Sequence, residues 1–402
     1  MASEPAQENK AVLPELIQSP KDPEFVQNPY AFYEKARAAG PFFYWQNYDM
    51  TCALSYAAIS AILRDRRFGR EIPAEKRKPV PQYLKPFYAV EDHSMLELEP
   101  PRHTRLRGLV MRAFTSRRIN GLAPEIAQLS HDLIANFPTD EFDLLRHFGQ
   151  HLPVIIIARL LGVPEEMAPQ LLAWSNAMVK VYIAGQDEAT GRAAGQAATD
   201  FSDFMRDYIN QRRARPADDL ITHLIAAEEQ GAKLSTQELI TTCILLLNAG
   251  HEATVHTLGN GVKTLLECRT PLRSAPVDTV VEEIIRFDPP LHLFTRHAYE
   301  DVEVMGHTIA EGSEVGLLLA AGNRDPAAFD APHRFDPARP AKANLSFGAG
   351  LHFCVGAPLA RLELQTALPV LFERLPDLRI TRPPEYADLY HFHGLKTLMV
   401  TH

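Results

Sequence analysis

A glycine-rich segment that ends in a cysteine is the part of the chain that most directly suggests chemistry. It runs from Phe347 to Gly356 and reads Phe-Gly-Ala-Gly-Leu-His-Phe-Cys-Val-Gly. An apolar helical pattern follows it, so we expect Cys354 at a helix N-terminus, where free amides and the helix dipole stabilise a thiolate and lower its pKa. Gly350 and Gly356 allow the backbone to come close to a flat ligand.

Two simpler interpretations of this cysteine stay open on the segment alone. A lone cysteine before a helix is more often a buried structural thiol. A zinc site formed by His352 and Cys354 is the weaker alternative, because the sequence offers no second ligand pair at a suitable spacing.

Two other groups of charged residues have informative spacings. Glu283 and Arg286 lie one helical turn apart and can pair, and Arg339 can share the same carboxylate. A pair of prolines can begin a helix that places His103 and Arg107 on one face. Taken singly, such patterns are more typical of solvated pairs and surface histidines.

The element that must position polar groups is the longest predicted helix. Ser235 and Glu238 form a capping box, and no proline interrupts the chain from Thr236 until Pro271, which allows a helix of roughly 45–50 Å. The middle of this helix carries polar residues that are either buried or face a cavity: Asn248, His251, Glu252 and Thr254. A stripe that faces solvent explains the periodicity equally well.

Other patterns predict a mainly α-helical protein with small β-sheets. Apolar residues at three- and four-residue spacing predict further helices at Tyr30–Ala39, Glu125–Phe137, Met167–Ile183, Thr199–Arg213 and Val355–Arg374. Strands are predicted within Phe42–Tyr56 and His297–Leu319, the second block being divided by Gly306 and Gly312. We expect a flexible segment at 1–20 and one domain at 21–402.

Composition narrows the class of protein. The 402 residues include 41 Lys and Arg against 50 Asp and Glu, a net charge of −9, which argues against general nucleic-acid binding. Four cysteines without a C-x-x-C pair suit a reducing compartment. No apolar run is long enough for a signal peptide or membrane anchor, so we expect a cytoplasmic protein, and a monomer.

Together, these motifs resemble those of the cytochromes P450. The segment 347–356 is similar to the family's haem-binding loop, Glu283-x-x-Arg286 to its E-x-x-R helix motif, and the segment ending at Arg339 to the part that supplies the arginine partner. The resemblance extends from about Asp22 to the C-terminus. It implies the cytochrome P450 fold, with haem b between the long central helix and the helix that follows Cys354.

The resemblance also implies the residues that hold the cofactor. Cys354 would be the ligand to the haem iron. The expected propionate partners are His103, Arg107, Arg296 and His352, and further contacts to the haem are expected from Ala249, Phe347, Gly348 and Gly356. Glu283, Arg286 and Arg339 would stabilise the fold on the proximal side.

In function, the resemblance implies a monooxygenase that inserts one oxygen atom from O2 into a hydrophobic small molecule of terpenoid, polyketide/macrolide or aromatic type. Glu252 is the expected proton-relay residue, with His251 and Thr254 as weaker candidates. The chain departs from the family at Ala253, where a threonine is usual, and we expect an ordered water or a substrate hydroxyl to complete the relay.

A second departure is a shortening of about ten residues between Cys268 and Pro276. The alternatives are a peroxide-driven or coupling haem-thiolate enzyme and a haem-binding sensor without turnover.

By the same resemblance, an apolar and aromatic substrate pocket with few polar anchors is expected. Its predicted lining residues are Tyr83, Phe87, Tyr88, Leu246, Ala249, Gly250, Ala253, Leu291, Leu293, Phe294 and Phe392, with His292 and His393 as candidates to orient a polar group. For each aromatic residue, plain core packing is at least as common.

Electrons must come from another protein, because no flavin or iron–sulfur segment is visible. The stretch from Arg102 to Arg118 contains six arginines and no acid: Arg102, Arg105, Arg107, Arg112, Arg117 and Arg118. Such a face in an acidic protein could attract an acidic iron–sulfur ferredoxin, itself reduced by a reductase. A solvated helix face is the commoner meaning of such a run.

Overall fold

The computed structural model describes residues 13–182, 187–229, 234–340 and 342–402, with only the backbone at 227–229. Most of this chain is helical. The α-helices are α1 (Pro23–Gln27), α2 (Pro29–Arg37), α3 (Tyr56–Arg64), α4 (Lys85–Glu91), α5 (Arg102–Ala113), α6 (Ser116–Asn120), α7 (Ala123–Ala135), α8 (His151–Leu161), α9 (Ala168–Val179), α10 (Glu188–Ala214), α11 (Leu220–Glu229), α12 (Thr236–Glu267), α13 (Val277–Phe287), α14 (Leu319–Asn323) and α15 (Ala357–Arg374).

The strands form one larger sheet and three small ones. They are β1 (Glu15–Leu16), β2 (Phe42–Trp45), β3 (Met50–Ala53), β4 (Phe68–Gly69), β5 (Phe142–Asp143), β6 (Leu293–Ala298), β7 (Val302–Val304), β8 (His307–Ile309), β9 (Glu314–Leu318), β10 (Arg379–Ile380), β11 (Glu385–Tyr386), β12 (Leu395–Thr397) and β13 (Met399–Thr401). The larger sheet has the order β1-β2-β3-β9-β6-β4. Its β6 and β9 are antiparallel, with Thr295 opposite Gly316.

The expectation of a mainly α-helical fold with small sheets is confirmed, with corrections to individual elements. The helix expected at Thr199–Arg213 begins earlier, at Glu188. The helix expected at Met167–Ile183 ends at Val179 and continues as a 3-10 turn over Lys180–Tyr182, while Ile183 lies outside the described residues. Within the segment expected to be flexible, β1 pairs with β2, with Glu15 opposite Tyr44.

The central helix α12 has the start that the sequence predicts. The Ser235 side chain accepts from the Glu238 amide, and the Glu238 carboxylate accepts from the Ser235 amide, so the capping box is present. Its 32 residues correspond to about 48 Å. Since α12 contacts α8, α9, α10 and α13, most of its surface is buried, and a polar group inside it needs a partner or a cavity.

A buried ion pair joins α13 to the segment before the cysteine loop. Arg286 donates from Nε and Nη2 to the two oxygens of Glu283, both at 2.7 Å. The same carboxylate accepts from the backbone amide of Asp336 at 2.8 Å and lies 3.4 Å from the Nε of Arg339. The expected sharing of Glu283 by two arginines is therefore present, in a site closed to solvent.

In the described residues, no helix is long and apolar enough to cross a membrane.

Candidate active site

The cysteine loop is closed by its own backbone. The amide of Cys354 donates to the carbonyl of Phe347 at 3.0 Å, and Gly348 and Gly350 adopt φ values of +68° and +69°. A side chain at position 350 would also meet the carbonyl oxygen of Leu63 at 2.2 Å. Glycine is thus required at 350 for both conformation and space.

Cys354 lies just before α15, as expected, but its predicted acidity is wrong. Burial raises the pKa of the Cys354 thiol, and this effect exceeds the opposing effect of the amides of Gly356 and Ala357 and of the charges on Arg107 and Arg361. A metal ion bound at this sulfur would take the place of the thiol proton. Cys354 is partly exposed, which leaves room for a metal ion at its sulfur.

The four expected propionate partners lie around one carboxylate. His352 Nε2 is 2.9 Å from Glu99 Oε1, and the rings of His352 and His103 are 4.3 Å apart. The charges of His352 and Arg107 act to lower the pKa of His103, and the charge of Glu99 acts to raise the pKa of Arg296. The structure therefore brings all four residues together. The cationic side chains among them outnumber the single carboxylate of Glu99.

These residues fit the acidic edge of a haem. Burial lowers the pKa of Arg296 to about 10, and burial together with the charges of His352 and Arg107 lowers that of His103 to about 4. His103 Nδ1 is buried and has no hydrogen-bond partner among the described residues. Added carboxylates would offset the repulsion between these groups and supply the missing partner.

One face of α12 opens to a cavity near the middle of the helix. Ala249 is exposed, and Glu252, Ala253 and His256, which follow at helical spacing on the same face, are partly exposed. Thr254 is buried on the other side. The expectation that Thr254 takes part in the relay is therefore not supported by its position.

Glu252 lies between two imidazoles. Its Oε2 is 3.5 Å from His251 Nε2, and its Oε1 is 3.6 Å from His256 Nε2. Burial acts to raise the pKa of Glu252, but the nearby His251 and His256 prevail and lower it to about 2. Glu252 is therefore ionised at neutral pH.

The cavity beside Glu252 has a volume of about 290 Å³. Its lining residues come from the residue before α8, from α9 and the turn that follows it, from α12 and from the loop after β11: Gln150, Leu172, Asn176, Val179, Lys180, Glu252, Val255, His256, Leu389, His391 and Phe392. Six of these eleven carry polar side chains. The lining therefore combines apolar residues with more polar side chains than expected, and the apolar character of the substrate pocket stays a prediction.

Of the predicted pocket residues, Phe392 lines this cavity, and Leu293 lines a smaller one of about 70 Å³ with Tyr182 and His391. Phe87 is buried and packs edge-to-face against Tyr88 and Tyr182.

Other predicted pocket residues take part in packing. Tyr83 lies against Gly191 and Gly195 of α10, under the guanidinium of Arg192 at 5.3 Å. Gly250 faces Ile157 of α8, since an added Cβ would be 2.7 Å from that side chain.

Three further pocket predictions are not tested by these contacts. Leu246 is buried within the core, Leu291 is half-buried, and Phe294 lies 6.0 Å from the guanidinium of Arg70. Their roles toward a substrate stay predictions.

His292 and His393 do not line the larger cavity. His292 is buried, with Nδ1 2.8 Å from the hydroxyl of Tyr33. His393 is also buried and stacks on Tyr386, whose hydroxyl donates to Asp288. Both histidines belong to a buried polar network that joins α2, the end of α13 and β11, and the expectation that they orient a substrate group is not supported.

Sequence reasoning missed several cavity residues, notably His256 and His391. His256 could have been found, because it lies one helical turn after Glu252 and continues the face formed by Ala249 and Ala253. His391 lies in an irregular loop, where no periodic pattern indicates the direction of a side chain.

Comparisons with known proteins agree with this geometry. The family model described as Cytochrome P450 matches residues 13–269 and 276–376, and the interruption falls on the segment that the sequence shows to be short. The polyketide biosynthesis cytochrome P450 PksS of Bacillus subtilis is 35% identical over 409 residues, which cover 97% of this chain and 99% of that protein. The mycinamicin IV hydroxylase/epoxidase of Micromonospora griseorubida is 37% identical over 340 residues, 82% of each chain.

A solved structure indicates the same family. The crystal structure of P450BioI in complex with an acyl carrier protein ligated to hexadec-9Z-enoic acid superposes with a TM-score of 0.88 at 34% identity, covering 94% of this chain and 99% of that one. The chain therefore belongs to the cytochrome P450 family of haem-thiolate monooxygenases, which use O2.

Proposed function

We propose that this monooxygenase oxidises a hydrophobic small molecule of the polyketide or macrolide type, with Cys354 as the ligand to the iron of haem b. The observation that carries the substrate class is the mixed lining of the 290 Å³ cavity. Its six polar side chains suit a substrate that presents several oxygen atoms on an apolar skeleton, better than a terpenoid hydrocarbon or a plain aromatic ring. The names of PksS and of the mycinamicin enzyme support the same class.

The haem supplies the activation of O2 and the insertion of one oxygen atom. His103, Arg107, Arg296 and His352 would hold its propionates, and Phe347, Gly348 and Gly356 would shape the surface under Cys354. On the substrate side, Phe392 and Val255 offer apolar contacts, while Glu252 holds charge at the cavity wall and serves proton transfer.

An external ferredoxin and its reductase are the proposed electron donors. Of the six arginines between 102 and 118, Arg105 pairs with Glu238 and Arg118 with Asp218, so part of the predicted basic face is neutralised. Arg112 and Arg117 are exposed, and Met111 and Phe353 are exposed apolar residues of the same region, where Arg107 donates to the Phe353 carbonyl. Exposed cations beside apolar groups suit a transient acidic partner.

The docking proposal has its own test. Replacing Arg112 and Arg117 together by glutamine should slow reduction by ferredoxin, with a smaller effect at high salt. The matched control is Arg192→Gln with Arg206→Gln on α10, which removes two exposed cations elsewhere. Equal reduction rates in the two double variants would rule out this docking face.

We further propose that residues 21–402 form a single catalytic domain that acts as a monomer in the cytoplasm. Light scattering on the purified holoprotein should give a mass near 45.0 kDa. A mass near twice that value would contradict the monomer.

The activity is tested with a surrogate ferredoxin, its reductase, NADPH and a panel of macrolactones, terpenoids and aromatic compounds under 18O2. We expect a product that carries one 18O atom from at least one macrolactone. Faster product formation with peroxide alone would favour the peroxide-driven alternative. Ligand-induced spectral change without NADPH consumption for any compound would favour a sensor.

A further inference from the structure

The two imidazoles beside Glu252 are not equivalent. His251 is 1% exposed, and its Nδ1 lies 2.7 Å from the carbonyl of Leu247, so Nδ1 carries a hydrogen that it donates to that oxygen. Its Nε2 faces the carboxylate and is attractive to it only when it is also protonated. His251 is thus closed off from the cavity, and its buried Nε2 makes no hydrogen bond within the described residues.

His256 has the opposite character. Its side chain is 13% exposed and lines the cavity together with Glu252. Its Nδ1 is buried and makes no hydrogen bond within the described part of the chain. A polar ring atom without a partner is costly unless the ring has a task or a water that satisfies it.

The position of the His256 ring depends on Gly394. A Cβ at position 394 would lie 1.8 Å from Nδ1 and 2.4 Å from Cγ of His256. The backbone there cannot move aside easily, because Ala387 donates to the Gly394 carbonyl at 2.8 Å and Asn260 donates to the His393 carbonyl at 2.9 Å. Space, not backbone conformation, therefore requires glycine at 394.

The open face of α12 offers few exchangeable protons. Position 253 is alanine, and the hydroxyl of Thr257 donates to the carbonyl of Ala253 at 2.7 Å. Of the side chains on the face formed by positions 249, 252, 253 and 256, Glu252 and His256 are the two that can carry a proton.

We infer that His256 is the proton-relay partner of Glu252, which rests on the proposed monooxygenase function. When His256 is protonated, its ring gives the proton on Nε2 to Oε1 of Glu252, which leaves a neutral imidazole and a carboxylic acid. His256 then regains a proton from a hydronium ion that enters the cavity from solvent and becomes water. One proton moves in each step, and no other bond changes.

The charged surroundings of the His256 ring contain one group that can accept its proton. The titratable and charged groups near the ring come from α12, from the loop before β12 and from the cavity rim: Glu252, His251, His391, His393 and Lys180. Glu252 is the one carboxylate of this set, and it is therefore the acceptor within the set for a proton from His256.

The test begins with a readout that does not depend on turnover. The δ-carbon of 13C-labelled glutamate is followed by NMR in the ferrous carbon monoxide form of the holoprotein, and the Glu252 signal is assigned from Glu252→Gln. In the parent, Glu252 should stay ionised at all pH values at which the protein is folded, since its pKa is about 2. In His256→Asn the pKa of Glu252 should rise into the accessible range, and Gly394→Ala should reproduce this rise. His131→Asn, which removes a histidine outside the cavity, should leave the titration of Glu252 near that of the parent.

The second readout is coupling. With a substrate found in the 18O2 experiment, His256→Asn should lower product per NADPH by at least ~10-fold with little change in KM, and should steepen the pH dependence. The same Glu252 titration in His256→Asn as in the parent, or unchanged coupling, would overturn the inference. If no substrate gives product, the proposed function fails, while the NMR titration still decides the role of His256.

Discussion

The ion pair between Glu283 and Arg286 allows a stability prediction with a built-in control. Replacing Glu283 by glutamine leaves Arg286, whose side chain is 3% exposed, without a counter-charge. Glutamine offers one acceptor oxygen in place of two, so one of the two 2.7 Å bonds from Arg286 is lost. The amide of Asp336, which now donates to Oε1, must compete for the remaining oxygen.

The magnitude follows from burial. Removing one partner of a buried pair costs about 3–5 kcal/mol, because the other charge stays in a site of low dielectric constant. Removing one partner of an exposed pair costs about 0–1 kcal/mol. The neighbouring residue provides this comparison, since Glu282 pairs with Arg361 at side-chain exposures of 42% and 30%.

The assay is urea unfolding of the haem-loaded protein followed by far-UV circular dichroism. Glu283→Gln should lower the free energy of unfolding by about 3–5 kcal/mol, and Glu282→Gln by about 1 kcal/mol or less. The two substitutions lie on the same helix and have the same change in helix propensity, so their difference isolates burial. If the two variants differ by less than about 1 kcal/mol, the assignment of Glu283 and Arg286 as a buried, tightly coupled pair is refuted.

Two other predictions concern the cysteine loop and pH. Gly350→Ala should reduce haem content and melting temperature, because the added Cβ meets the Leu63 carbonyl oxygen at 2.2 Å with φ at +69°. The control Gly108→Ala, with no atom within 4 Å of the added Cβ, should leave haem content unchanged and should not lower the melting temperature, since alanine is favoured over glycine inside a helix. Equal haem content in both variants would contradict the close approach at position 350. Burial and the Glu97 carboxylate raise the pKa of Glu91 to about 7. The folded protein therefore binds this proton more tightly than the unfolded chain does. As a result, the free energy of unfolding falls as pH rises from about 4.3 to about 7. Glu91→Gln should reduce that fall in urea unfolding at the two ends of the window, and an identical pH slope in parent and variant would show that Glu91 does not titrate there.

Features set by neighbouring residues were predictable from the sequence. The capping box of Ser235 and Glu238 and the pairing of Glu283 with Arg286 depend on spacings of three residues, which a helix converts into contacts. The glycines of the cysteine loop likewise carry their conformational requirement locally.

Features set by tertiary packing were not predictable. The acidity of Cys354 was misjudged because burial, which the sequence does not give, exceeds the effect of the helix N-terminus. The first half of α10 was missed because its alanines and glycines, such as Gly191 and Gly195, show no periodicity of large apolar residues, although they allow close packing with Tyr83.

Contacts between residues far apart in the sequence were also not predictable. No residue near Arg105 or Arg118 in the sequence indicates that each arginine pairs with an acidic residue far along the chain, since 133 and 100 residues separate the partners. The contact of His256 with Gly394 joins α12 to a loop near the C-terminus, and only the folded chain shows that one position limits the other.

The measurement that tests the central claim most directly is the carbon monoxide difference spectrum of the dithionite-reduced protein and of Cys354→Ala. A haem bound through the Cys354 thiolate should give a strongly red-shifted Soret band that is absent in the variant. A band typical of histidine-ligated haem in the parent, or a red-shifted band that persists in Cys354→Ala, would contradict the assignment of Cys354 as the ligand to the iron.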